Sequence, residues 1–185
     1  MSIGSLIRHL RDREYMSGVE RDESRIKATG EVFTPTPLVQ EILNEMDQTL
    51  FSEPGRTFLD PACGDGQFLS EVLIRKLESG QDLETALKSI YGVDIMIDNV
   101  DLCRKRLLCG HEEYIHIVEK NIVCQDGTRY GYSFRTPGRA QQNREQRLRI
   151  ENARQKNFDR LFEEQKVKRP PKKHKNKKQN IVATA

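Results

Sequence analysis

Residues Asp60-Pro61-Ala62-Cys63-Gly64-Asp65-Gly66 place an acid, a tight turn with two glycines and the start of a helix within seven positions. Glycine lets a backbone bend sharply and lets a ligand approach without a Cβ in the way. Amides left free at a helix start receive a carboxylate. A second acid, Asp94, follows 34 residues later in Tyr91-Gly92-Val93-Asp94-Ile95, at the end of the next apolar run. An acid in that place accepts hydrogen bonds from both ribose hydroxyls of a nucleoside. Either feature alone also serves as a plain tight connection or a strand-ending carboxylate, so their context decides. The four cysteines, Cys63, Cys103, Cys109 and Cys124, form no Cys-x-x-Cys pair, and the four histidines add no metal-ligand spacing. That pattern argues against a zinc site and for reduced thiols in a cytosolic protein. No histidine base lies near Cys63 in sequence, which argues against a catalytic thiol there.

The elements around these residues alternate. Ser5 to Arg13 reads as a short helix with Leu6, Ile7 and Leu10 on one face. Thr36-Pro37 reads as a helix start, with Thr36 as the cap and Pro37 at the first helical position. Leu38, Val39, Ile42, Leu43 and Met46 continue it at helical spacing. Pro54-Gly55 marks a turn, and Arg56 to Asp60 a short buried strand. Gln67 to Ser79 follows as an amphipathic helix, Asp82 to Ser89 as a second one, and Ile90 to Asp94 as the next strand. Ile97 to Leu108 is a helix, and Ile115-His116-Ile117-Val118 and Ile122-Val123-Cys124 are short strand candidates. Alternation of strand and helix predicts a parallel α/β sheet.

With that context, Asp-Pro-Ala-Cys-Gly-Asp-Gly-Gln-Phe-Leu at 60–69 closely resembles the S-adenosyl-L-methionine motif of adenine-N6 DNA methyltransferases, including type I modification subunits and fused restriction–modification enzymes. Gly30-Glu31-Val32-Phe33-Thr34-Pro35 resembles that family's additional cofactor motif, which precedes the glycine turn. Asn121-Ile122-Val123-Cys124-Gln125-Asp126-Gly127 resembles its third motif. Four motifs in order cover about residues 29–134. The resemblance implies a partial Rossmann-like methyltransferase fold with a C-terminal helix and a basic tail. It divides the chain into a polar segment (1–29), a cofactor-binding domain (30–134), a polar helix (135–166) and a disordered basic tail (167–185). It also implies roles. Thr34 and Pro35 hold the methionine end. Asp60, Pro61 and the backbone at Ala62, Cys63, Gly64 and Gly66 hold the amino and carboxylate groups. Asp94 binds the ribose, Ile95 packs on adenine, Asp126 accepts from the adenine amino group, and Phe68 supports the pocket wall.

One part of the family pattern is missing. The chemistry of these enzymes uses Asn-Pro-Pro-aromatic, or Asp or Ser in the first place, with the aromatic stacked on the extruded base. The only Pro-Pro here is Pro170-Pro171, between Arg169 and Lys172. Asn157-Phe158-Asp159 is followed by Arg160-Leu161-Phe162-Glu163-Glu164, which reads as helix. No catalytic residue is therefore assigned, and the isolated chain is expected to transfer no methyl group. The family's catalytic strand lies beside the glycine-turn strand, so the strand at 56–60 is expected to expose an edge. Tyr130 to Phe134, the helix at 139–166, a second copy or another chain are the candidate covers.

The net charge of +3 hides a division. Residues 135–185 hold 16 Lys/Arg and 5 Asp/Glu, against 15 and 23 before them. An acidic body with a basic tail is two functional regions. Residues Lys166, Lys168, Arg169, Lys172, Lys173, Lys175, Lys177 and Lys178 suit phosphate backbones, so DNA is the expected partner of segment 166–178. Leu148, Ile150, Ala153, Phe158, Leu161 and Phe162 are placed to line one side of an exposed or partner-bound helix. No apolar run approaches the ~20 residues that span a bilayer, and the first residues lack a secretory pattern. A cytoplasmic protein without a membrane partner is expected.

Overall fold

A computed structural model of the chain describes residues 2–12 and 34–167, the side chains of 161–167 excepted. Two compact units are present, Met1–Arg149 and Ile150–Ala185. The first is a mixed α/β unit. Its element order is α1 (Ile3–Asp12), α2 (Thr36–Asn44), a one-turn α3 (Thr49–Ser52), β1 (Phe58–Asp60), α4 (Gln67–Glu78), α5 (Leu83–Lys88), β2 (Ile90–Asp94), α6 (Ile97–Leu108), a 3₁₀ turn (Glu112–Tyr114), α7 (Ile115–Asn121) and β3 (Ile122–Cys124). Helix α8 (Arg139–Val167) begins in this unit and continues into the second.

The sheet is parallel, in the order β1-β2-β3. Phe58 lies opposite Ile90 and Asp60 opposite Gly92, while Gly92 lies opposite Ile122 and Asp94 opposite Cys124. These residues share one face, since strand side chains alternate. Helices α4 and α6 pack on the sheet. Helix α4 and the turn before it approach closely at Gly92, where a Cβ would stand 2.8 Å from the Leu69 side chain and 2.9 Å from Cys63 Sγ. Leu69, Leu73, Leu77, Ile90, Val100, Leu107 and Ile122 are buried between these layers. Helices α1 and α2 close the outer side of α4, burying Leu6, Leu10, Val39 and Leu43.

Local chemistry explains the boundaries. Asp82 caps α5 by accepting from the Thr85 amide at 2.9 Å and its hydroxyl at 2.7 Å. Phe51 from α3 stacks on Phe58 at 5.0 Å, and the buried Lys76 lies over the Phe58 ring while donating to the Arg56 carbonyl at 3.0 Å.

Two expectations need correction. Ile115 to Val118 is helix, not strand. In α7 the buried residues are Ile117, Val118 and Asn121, a helical spacing, while Ile115 is exposed. Four residues are too few for the apolar pattern to separate the two periods. Thr36 does not cap α2. Pro35 occupies the cap position with no side-chain bond, and Thr36 is already helical. On α8 the side chains differ in exposure. Glu145 is buried and Leu148 half-buried, while Ile150 and Phe158 are exposed.

Among the described residues, β1 has a strand partner on one side only. Segment 130–134 does not pair with it. Phe134 lies against Tyr91 at 4.7 Å, on the opposite sheet face, with Tyr130 packed on Phe134 at 5.5 Å. Leu59, in register with Tyr91 on that face, stays 47% exposed. Residues 13–33, which include most of the polar N-terminal segment and Gly30 to Phe33, and the tail from Lys168 onward lie outside the described residues.

Candidate functional site

Parallel strands deliver their last residues to one edge of the sheet, so Asp60 and Asp94 end side by side. Four separate segments meet there. The Gly64 amide donates to Asp94 Oδ2 at 3.0 Å, which joins the glycine turn to β2. The Gln125 amide donates to the Asp94 carbonyl at 2.9 Å, which brings the loop after β3 alongside. Gly127 presses on Pro61: a Cβ at that position would run into the Pro61 carbonyl oxygen. Gln67 Nε2 donates to Thr36 Oγ1 at 2.6 Å, which ties residues 34–36 to the turn. Thr34, Asp60, Gly64, Phe68, Asp94 and Asp126 are half-buried, while Pro35, Pro61, Ala62 and Ile95 are exposed and Cys63 and Gly66 are buried.

The turn needs its glycines. Gly64 and Gly66 have φ of 53° and 85°, the left-handed region that side chains disfavour. A Cβ on Gly66 would also meet Cys103 Sγ at 2.6 Å, so the turn is clamped against α6. Cys63 fills the space between the turn and Gly92. The Cys103 side chain, burial and the charges of Asp60 and Asp94 all raise its thiol, which stays protonated. All four thiols are free and buried.

The acids differ in their surroundings. Burial pushes the Asp60 carboxyl up, the Ala62 amide bond at 3.0 Å pulls it down, and the charge of Asp94 pushes it up again; the net result is a raised value. Asp94 Oδ1 accepts from the Met96 amide at 2.8 Å, so this carboxylate fixes the loop after β2 as well as the glycine turn. Asp126 accepts from the Thr128 hydroxyl and amide at 2.6 and 2.9 Å, which hold its carboxyl below the ordinary value.

Three carboxylates and an Ile95 that is 62% exposed thus share one edge. This set of acceptors fits a ligand rich in hydrogen-bond donors with a flat ring. S-adenosyl-L-methionine offers an ammonium, two ribose hydroxyls and an adenine amino group. Asp94 accepts from the Gly64 and Met96 amides and from the Asn99 side-chain amide. A cavity of about 410 Å³ lies elsewhere, among α1, α2 and α4, lined by Arg11, Gln40, Asn44, Gln48, Glu71 and Arg75. Its chief cation, Arg75, is already committed to the Gln40 and Leu43 carbonyls, Gln48 and Asn44.

Sequence reasoning missed Gln67 and Arg106. Arg106 is 1% exposed, donates to Gln67 Oε1 at 2.9 Å and stands 3.9 Å from Asp65 Oδ1. Their signal was two long polar side chains within otherwise apolar helix faces.

A glycine turn between a strand and a helix, with an acid on each of two adjacent parallel strands, places the unit among mixed α/β proteins with a small parallel sheet. The family described as N-6 DNA Methylase matches residues 20–148. The chain belongs to the N-6 DNA methylase family. No solved structure matches the chain.

Proposed function

We propose that this chain is the S-adenosyl-L-methionine-binding part of an adenine-N6 DNA methyltransferase of the restriction–modification kind, built on half of a Rossmann-like fold. The observation that carries the reading is the convergence of Asp60 and Asp94 beside a turn held open by two left-handed glycines. N-6 DNA methylases typically depend on S-adenosyl-L-methionine, which adds support. When bound, that molecule supplies an electrophilic methyl group. Asp94 and Asp126 accept from its ribose and adenine donors. Asp60 and the backbone from Pro61 to Gly66 receive the amino-acid end, with Thr34 and Pro35 on the far side. Ile95 and Phe68 keep water from the ring and the pocket wall.

The 185 residues contain no Asn-Pro-Pro-aromatic segment to orient a target amine. Methyl transfer on this reading draws on a catalytic segment from outside these 185 residues, for which the side of β1 without a strand partner among the described residues is the proposed docking edge. The lysine-rich residues 166–178 are proposed to contact DNA phosphates. The missing motif also favours a second reading, a non-catalytic binding protein that retains this fold.

Thermal unfolding with the cofactor separates the two. Ligand at about 100 times its Kd stabilises the folded chain by about 2.7 kcal/mol, and Asp94→Asn should remove most of that gain. The purified chain alone should leave adenine-containing DNA unmethylated. An unchanged melting temperature at millimolar cofactor favours the second reading, and turnover by the chain alone contradicts the need for a partner.

A further inference from the structure

Gln67 is the first residue of α4 and directly follows Gly66. Its side chain is 6% exposed, and it spans three segments. Nε2 donates to Thr36 Oγ1 at 2.6 Å, and Oε1 accepts from Arg106 Nη1 at 2.9 Å. The same Nη1 lies 3.9 Å from Asp65 Oδ1, inside the glycine turn. Asp65, Gln67 and Arg106 are all buried, so none of these bonds competes freely with water. Arg106 sits one helical turn after Cys103, the residue whose sulfur bounds Gly66.

An amide suits this place. A guanidinium only donates, and a threonine hydroxyl accepts, so the linking group needs one acceptor and one donor on a short rigid head. The chain of contacts ends at Thr36, beside Thr34 and Pro35. Those two residues carry the amino-acid end of the cofactor under the reading above, on which this inference rests. We propose that Gln67 is a positioning residue: with Arg106 behind it, it sets the spacing between residues 34–36 and the glycine turn. It thereby governs binding of the amino-acid end and not of the nucleoside end, which is held by Asp94 and Asp126 on other segments.

The test compares two ligands on the full chain by calorimetry. S-adenosylhomocysteine carries the amino-acid end, and 5′-methylthioadenosine lacks it. Gln67→Met keeps length and volume but loses both bonds. It should weaken S-adenosylhomocysteine on the order of tenfold, the loss of one charge-assisted hydrogen bond, and leave 5′-methylthioadenosine unchanged. Thr36→Val cuts the same link from the half-exposed side, so it covers the case in which Gln67→Met does not fold. It should give the same split, and Thr36→Ser should restore binding. Equal loss of both ligands, no loss of either, or failure of Thr36→Ser to restore binding overturns the proposal. If the unaltered chain binds neither ligand, the cofactor reading itself fails, and that is seen before any variant is compared.

Discussion

The Asp60 carboxyl is raised by burial and by its neighbour Asp94, so its ionised form is held in the folded chain at a cost. The sign follows from proton linkage. The folded state prefers the protonated acid, so the cost is full above the raised value and disappears as acidification protonates the group. Asp60→Asn keeps an acceptor for the Ala62 amide and removes the charge. It should melt above the parent chain at pH 7, with the difference closing toward pH 4, while cofactor affinity falls by about tenfold. Equal melting at both pH values would contradict a burial cost at Asp60. Asp60 and Asp94 were legible in the sequence because each ends an apolar run beside glycines. Gln67 and Arg106 were not, because they lie 39 positions apart and their pairing exists only once α4 and α6 pack together.

Elements are tied by backbone approach at the site and by a buried ion pair at the start of α8. Gly127→Ala would drive a Cβ into the Pro61 carbonyl, a backbone atom without room to yield. A loss of about 1–3 kcal/mol is expected, with weaker cofactor binding because Asp126 shares the loop. Gly131→Ala, in the same connection with open space around it, should change neither in denaturant unfolding and calorimetry. At the start of α8, Glu145 meets Arg104 at 2.9 Å, with the two side chains 7% and 8% exposed. Arg104 also donates to the Ile122 carbonyl, so this pair fastens α8 to β3. Burial alone would raise the Glu145 carboxyl, but Arg104, with Gln141 and Arg149 adding, brings it below its ordinary value. Its stabilisation is therefore full above the unfolded value of 4.5 and is lost as pH falls through the folded one. Glu145→Ala leaves a buried guanidinium without this partner and should cost about 3–5 kcal/mol near neutral pH, with the deficit shrinking in acid. The start of α5 could be read from Asp82, since capping is local. The register of α8 could not, because its packed side is chosen by Arg104 on another helix. The short run at 115–118 fits both periods, and only the burial of Ile117, Val118 and Asn121 selects helix.

At the scale of the molecule, the parallel order of β1, β2 and β3 gathers residues from positions 34, 60–67, 94–95 and 125–127 at one edge. The alternation of apolar runs foretold that parallel arrangement, and the family match over residues 20–148 agrees with the motifs read from the chain. The three-residue length of β1 follows from packing, while its side without a strand partner among the described residues is the edge expected from the missing Asn-Pro-Pro-aromatic segment. Among the described residues no helix is long and apolar enough to cross a membrane. Charge divides along the chain, with 15 Lys/Arg and 23 Asp/Glu in residues 1–134 against 16 and 5 in residues 135–185. All of this depends on whether the edge holding Asp60, Asp94 and Asp126 takes the cofactor. Calorimetric titration of the 185-residue chain with S-adenosyl-L-methionine tests that directly. One site with a Kd on the order of micromolar, about −8 kcal/mol, is the predicted result, strongly weakened by Asp94→Ala. No heat at millimolar ligand would contradict the account.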